Sequence, residues 1–326
     1  MHSRRILLLA VLLVWSSAGL AQDAAGYPRK PVRIVVLHAT GGIADIIARM
    51  VGQKLGERLG QSFVVENRTG AAGAVGSEYV AAAPPDGYTL VLGTVGTHAI
   101  NASLYPKLRY NNLTDFAAVS MAATQPLMLV VHPSVPAGSV PEFIQLLKAN
   151  PGKYSFGSAG GAGTSSHLAA ELLKMKTATT MVHIPYKGSG PMIIDLVGGH
   201  INLAFDNMPT ALAQVRLGKL KALAITSIER SKLVPDVPTV TEFVPGFQVT
   251  SWQGLFAPAA TPAAILDRLS SEVQQVMQSA EVAGRLIDMG VTPVGNRRAE
   301  FTAFVKEETE RWAEVVRVSG ARADDY

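Results

Sequence analysis

The chain has 326 residues, 48% of them hydrophobic, with 30 glycines, no cysteine and a formal charge of +4. That length reads as two domains with room for a large core, and the apolar content excludes a disordered chain. The absence of a Lys/Arg-rich run excludes a nucleic-acid patch, and the absence of cysteine excludes disulfides and a lipid-modified cysteine at the N-terminus.

Residues 1–21, MHSRRILLLAVLLVWSSAGLA, read as a cleavable secretory signal. Arg4 and Arg5 precede an unbroken apolar run from Ile6 to Trp15, and Gly19 and Ala21 stand at small-x-small spacing, which places the cut after Ala21. The apolar run is about half the ~20 residues a helical membrane span needs. The leader holds two of the 29 basic residues and none of the 25 acids, so the mature chain carries +2. The expectation is a periplasmic protein without a lipid anchor.

Strand and helix patterns then alternate. VRIVVL (32–37) is a continuous apolar strand of the kind buried on both faces. HATGGIAD follows, and its glycine pair is either a tight turn or a place where backbone amides approach a ligand. Over residues 45–59, Ile47, Val51, Leu55 and Leu59 recur every fourth position, an amphipathic helix ended by Gly60. Asp45 lies in its first turn, where a carboxylate can satisfy the helix dipole. SFVVEN, an alanine-rich helix to residue 83, the breaker PPDG and the strand YTLVLG repeat the theme. Around 117–131, two strand-like runs flank Thr124, Gln125 and Pro126 with no helix between them, and 245–257 is again extended. Between these crossings lies a second series, with helices at 140–149, 165–174, 191–197 and 210–217 and strands YSFGS, MVHIP, INLAFD and KALAIT. Met208-Pro209 reads as a breaker. The C-terminal part is helical, most clearly at 263–280 and 300–320.

Such alternation predicts an α/β fold, parallel-rich sheets flanked by helices. Two extended crossings around an inserted block predict two lobes joined by two strands, residues 22–124 with 250–326 forming one and 125–249 the other. Ligands of such sheets collect beyond the carboxyl ends of the strands, in a cleft that a hinge can close.

The second lobe has its own glycine loop, SAGGAGTSSHLAAELL, in which Gly160, Gly161 and Gly163 lead into Thr164, Ser165 and Ser166 at a helix start. The loop is either a glycine turn with an ordinary N-cap or an anion site built on free amides and the helix dipole. Asp206, ending an apolar strand, either caps the next helix or accepts from a ligand. No G-x-S-x-G, P-loop or G-x-G-x-x-G motif occurs, and the seven histidines show no metal spacing. No catalytic residue, metal or cofactor is expected. A secreted serine hydrolase using Ser165 or Ser166 with His167 is the reading from a different class, and adjacent side chains at a helix start diverge too far to favour it.

The segments YPRKPVRIVVLHATGGIAD, YSFGSAGGAGTSSHLAAELL, VHIPYKGSGPMIIDLVGGHINLAFDN and VPDVPTV resemble the Bug family, periplasmic substrate-binding proteins of tripartite tricarboxylate transporters. The resemblance runs through nearly the whole mature chain. It implies a two-lobed, Venus-flytrap (type II) periplasmic binding fold, no catalysis, and a small organic carboxylate held by two glycine loops through backbone amides and bridging waters. The ligand set it implies is Thr40, Gly41, Gly42 and Ile43 in the first loop, Thr97 and His98 after the third strand, Ser158, Gly161, Thr164, Ser165 and Ser166 in the second lobe, and Asp206. The implied partner is a membrane permease, or a sensor kinase or chemoreceptor, served by a monomer. The first loop departs from the family pattern P-F-x-P-G-G-x-x-D: Leu37 and Thr40 replace its prolines and His38 its aromatic. Thr40 regains an N–H and adds a hydroxyl, and His38 brings a group with an unperturbed pKa near 6.5.

Overall fold

Buried apolar strands with helices laid across them organise the chain, in a computed structural model that describes residues 26–319. The leader expected at 1–21 lies outside the described residues. β1 (Val32–Val36) pairs in parallel with β2 (Phe63–Asn67) on one side and β3 (Thr89–Thr94) on the other. α1 (Ile43–Leu59) lays Ile47, Val51 and Leu55 onto this sheet and stops at Gly60, whose φ of 70° allows the left-handed cap that bonds back to Gly56. α2 (Ala74–Ala81) follows β2.

β4 (Phe116–Val131) is one continuous strand of 16 residues where the sequence suggests two. Its first half lies antiparallel between β9 (Thr250–Pro258) and the short β10 (Thr292–Pro293). From Leu127 onward it lies between β7 (Leu203–Asn207) and β8 (Lys221–Ile225). Pro126, paired with Thr250, stands where β4 leaves β9, so its missing N–H interrupts no ladder. β5 (Ser155–Ala159) and β6 (Val182–Tyr186) complete the second sheet in parallel, giving the order β2-β1-β3-β9-β4-β7-β5-β6. The fold is two-lobed α/β, with β4 shared by both sheets.

The helices α4 (Val140–Ala149), α5 (Ser165–Thr177), α6 (Ser189–Val197), α7 (Met208–Arg216), α8 (Ala263–Gln278) and α10 (Arg298–Ser319) match the expected positions. Met208-Pro209 is a helix start and not a breaker, since proline at the first turn has no N–H bond to lose. Unanticipated are a π-helical turn at Gly96–Ile100 and the short α3 (Asn101–Leu104), while α9 (Ala280–Asp288) falls within the C-terminal part expected to be helical.

One apolar cluster passes beneath both lobes, from Val35 and Val91 through Trp252 and Phe256 to Phe156 and Phe205. α10 backs it with Phe301, Val305 and Trp312. On α10, buried Glu308 accepts from both indoles, Trp252 Nε1 at 3.1 Å and Trp312 Nε1 at 3.0 Å, and pairs with Arg311 at 2.6 Å.

Candidate functional site

The carboxyl ends of β1, β3, β5, β6 and β7 open onto one cavity of about 460 Å³, walled on the remaining side by Ser251 and Gln253 of β9. Four helices begin at its wall. α1 starts at Gly42, α6 at Gly188 and α7 at Asn207, each without a side-chain cap, so their first-turn amides lack an intrahelical partner. α5 starts at Thr164, whose hydroxyl donates to Gly161 O at 3.0 Å and accepts from His167 N at 3.4 Å. Helix N-termini bring partial positive charge, and among the described residues Lys187 is the one in the wall with a full charge and none there is a carboxylate.

The two nearby acids stand behind the wall. Asp45 is buried, which works to raise its pKa, but hydrogen bonds from Arg49, Gly41 N at 3.0 Å and Asn67 at 2.9 Å outweigh burial and hold it below the usual range. Its carboxylate thus takes the Gly41 amide. Asp206 is fully buried and accepts from Ser189 Oγ at 2.7 Å and from Thr210 Oγ1, two hydroxyls of the wall. Burial pushes its pKa up, against the pull of those bonds.

Of the expected ligand set, the cavity brings together Thr40, Gly41, Gly42, Ile43, Thr164 and Ser165. It does not bring in Thr97, His98, Ser158, Gly161, Ser166 or Asp206. Thr97 Oγ1 turns inward to His98 Nδ1 at 2.9 Å, and the His98 ring stacks on Phe256 at 4.2 Å, wholly buried. Ser158 Oγ bonds His183 Nε2 at 2.6 Å, and Ser166 Oγ donates to Phe205 O. His167 Nδ1 accepts from Gly163 N at 3.3 Å, so Ser166 and His167 are both engaged with backbone. His38 does reach the wall, but burial lowers its pKa to about 4, which leaves it neutral near pH 7. Positive φ belongs to Gly41, at 83°, while the N-cap Gly42 sits at −75°.

Sequence reasoning missed Lys187 and Gly188 between β6 and α6 and Ser189 at the start of α6, although KGSG repeats the strand–glycine–helix signal of the other loops. It also missed Ser251 and Gln253, whose alternate spacing on a strand says only that they share a face. These two join Gln125 and Asn207 in a polar floor. Gln125 Nε2 donates to Asn207 Oδ1 at 3.1 Å and to Ser251 Oγ at 3.3 Å, and Gln253 Nε2 donates to Ser251 Oγ at 3.2 Å. Above the cavity, the loops after β3 and β5 touch: Tyr105 Oη donates to Ala162 O at 3.1 Å, and a Cβ on Gly96 would lie 2.9 Å from Gly163 O. Among the described residues, no cluster of His, Asp and Glu is suited to a metal, and no helix is long and apolar enough to cross a membrane.

Comparison with known proteins gives a consistent picture. The family described as the tripartite tricarboxylate transporter family receptor matches residues 47–320. The protein BugT of Bordetella pertussis is 37% identical over 320 residues, covering 97% of this chain and 98% of BugT. A Rhodopseudomonas palustris protein solved with adipate has a TM-score of 0.86 at 35% identity, over 90% of this chain and 98% of its own. MatC of the same organism, solved with bound malate, has a TM-score of 0.82 at 34% identity, over 89% of this chain and 100% of its own. Family match, end-to-end relatives and shared fold agree, and this chain belongs to the receptor family of the tripartite tricarboxylate transporters.

Proposed function

We propose that the chain is an exported, periplasmic receptor that closes on a small organic carboxylate and delivers it to the permease of a tripartite tricarboxylate transporter. The observation that carries this reading is the cavity wall: four helix N-termini and one lysine converge on a space with no carboxylate of its own. Such a wall attracts an anion and repels a cation. The adipate and malate held by the two Rhodopseudomonas proteins support the same class of ligand. Thr40, Gly41, Gly42, Ile43, Thr164 and Ser165 are the expected ligands that remain at the wall, and Lys187 and Ser189 join them. We draw the lobes at residues 22–124 with 250–326 and at 125–249, within two residues of the point, between Pro126 and Leu127, where β4 exchanges β9 for β7.

A thermal-shift screen of small carboxylic acids against the mature protein tests the reading. A ligand at 100 times its Kd adds about 2.7 kcal/mol of stability, which is readily visible in Tm. Carboxylates should raise Tm while sugars and organic cations leave it unchanged. A response to sugars or cations alone would refute the assignment.

A further inference from the structure

Outside the cavity wall, the lobes meet at a contact whose polar groups are unevenly served. Asn101 and Leu104 of α3, with Tyr105 just after it, face the loop that leads from β5 to α5. Tyr105 Oη donates to Ala162 O at 3.1 Å. A Cβ on Gly163 would lie 2.8 Å from Leu104 Cδ2 and 2.8 Å from Asn101 Oδ1, so both side chains press on that glycine. Asn101 Oδ1 is buried and has no donor among the described residues. Its amide cannot turn to find one. Nδ2 donates to Ala72 O at 3.2 Å and to Tyr110 Oη at 3.4 Å, and a turned amide would set its oxygen against the Ala72 carbonyl. Asn101, Leu104, Tyr105, Ala162 and Gly163 all lie outside the cavity wall.

When the lobes part, Asn101 Oδ1 regains water, and when they meet it loses that water and gains no donor. A buried acceptor left this way opposes the state that buries it. The Tyr105 bond favours the same state. We infer that these two residues set the balance between open and closed receptor, Tyr105 as a latch and Asn101 as a brake that makes closure depend on a ligand. The inference rests on the receptor reading above and adds a control of affinity that touches no ligand. Apparent affinity scales with the fraction of receptor competent to close, so a change in that balance reaches every ligand alike.

The chain has no cysteine, so Val75→Cys on α2 and Ile194→Cys on α6, at positions 50% and 71% exposed, place one spin label on each lobe. Pulsed electron resonance on the mature protein without ligand then compares the forms with lobes together, as in this structure, and apart. Asn101→Leu keeps the shape of the side chain without its carbonyl and should shift the populations about tenfold toward the closed distance. The bond to Ala72 that it loses lies within one lobe and weakens both forms equally. Tyr105→Phe should shift them about threefold the other way. If Asn101→Leu does not fold, Asn101→Ala removes the same oxygen. With malate and adipate as calorimetric probes, Kd should fall and rise by the same factors for either acid. Shifts of the label distances in one common direction, or none in either variant, overturn the inference. A change of Kd for one acid only would put these residues in contact with ligand and overturn it too. Silence from every carboxylate counts against the receptor reading instead, since the label distances need no ligand.

Discussion

Gly42 and Gly41 are neighbours with different duties. Gly41 needs its positive φ of 83°, whereas Gly42, at −75°, could hold any residue, and a Cβ there would meet nothing closer than Ala39 O at 3.5 Å. Gly42 is therefore a question of space in the cavity. Gly42→Val should fold with an unchanged Tm and bind carboxylates about tenfold or more weakly by calorimetry. Unchanged affinity would make the glycine pair a plain turn. The histidines make a second prediction. Burial lowers His98 and His167 to about 3 and His183 to about 4, the charges of His183 and Lys174 adding to the effect at His167. In the unfolded chain they titrate near 6.5, so between about pH 6.5 and 4 the unfolded state binds protons that the fold refuses. Stability is full above pH 6.5 and is lost as pH falls toward 4. Tm should be level from pH 8 to 7 and then decline, with His183→Asn declining less; a flat Tm down to pH 4 would refute the assignment. The site was legible as far as glycines announce helix starts. Thr97, His98, Ser158 and Asp206 stand close to the right loops, yet their side chains turn into the core, a direction that no local pattern encodes.

At the scale of elements, strand–helix alternation was readable because buried strands are continuous apolar runs and covering helices repeat every fourth residue. What escaped lacked that periodicity. The π-helical turn at Gly96–Ile100 is buried throughout and so shows no polar face, and β4 hides its continuity behind Gln125 and Pro126. The contact of the loops after β3 and β5 depends on glycine at Gly96. Gly96→Ala would put a Cβ 2.9 Å from Gly163 O, backbone that cannot step aside without parting the loops. The variant should need more ligand to reach the compact form in small-angle scattering, and contraction at the wild-type concentration would show the contact to be dispensable. α10 depends on a buried charge. Glu308→Leu strands two indole N–H groups and should cost on the order of 2–5 kcal/mol, read as a lower midpoint in urea.

For the whole molecule, the shared cluster beneath both lobes and the strand common to both sheets bind the halves into one unit. Calorimetry should show one transition whose van't Hoff and calorimetric enthalpies agree, and two resolved peaks would mean that the lobes melt separately. The leader-like start belongs to this scale as well: N-terminal sequencing of the exported protein should begin at Gln22.

The place of β9 also sets the order in which the chain can fold. Val91 on β3 has Phe256 as its partner, and no earlier strand fills that place in the sheet. During synthesis the first sheet waits with an open edge until β9 emerges, and α10 arrives later still. Contacts so distant along the chain are slow to form, since a long loop must close before they stabilise anything. The first sheet can therefore close only once residues 250–258 have been made, whereas every strand of the second sheet is already in place by residue 225.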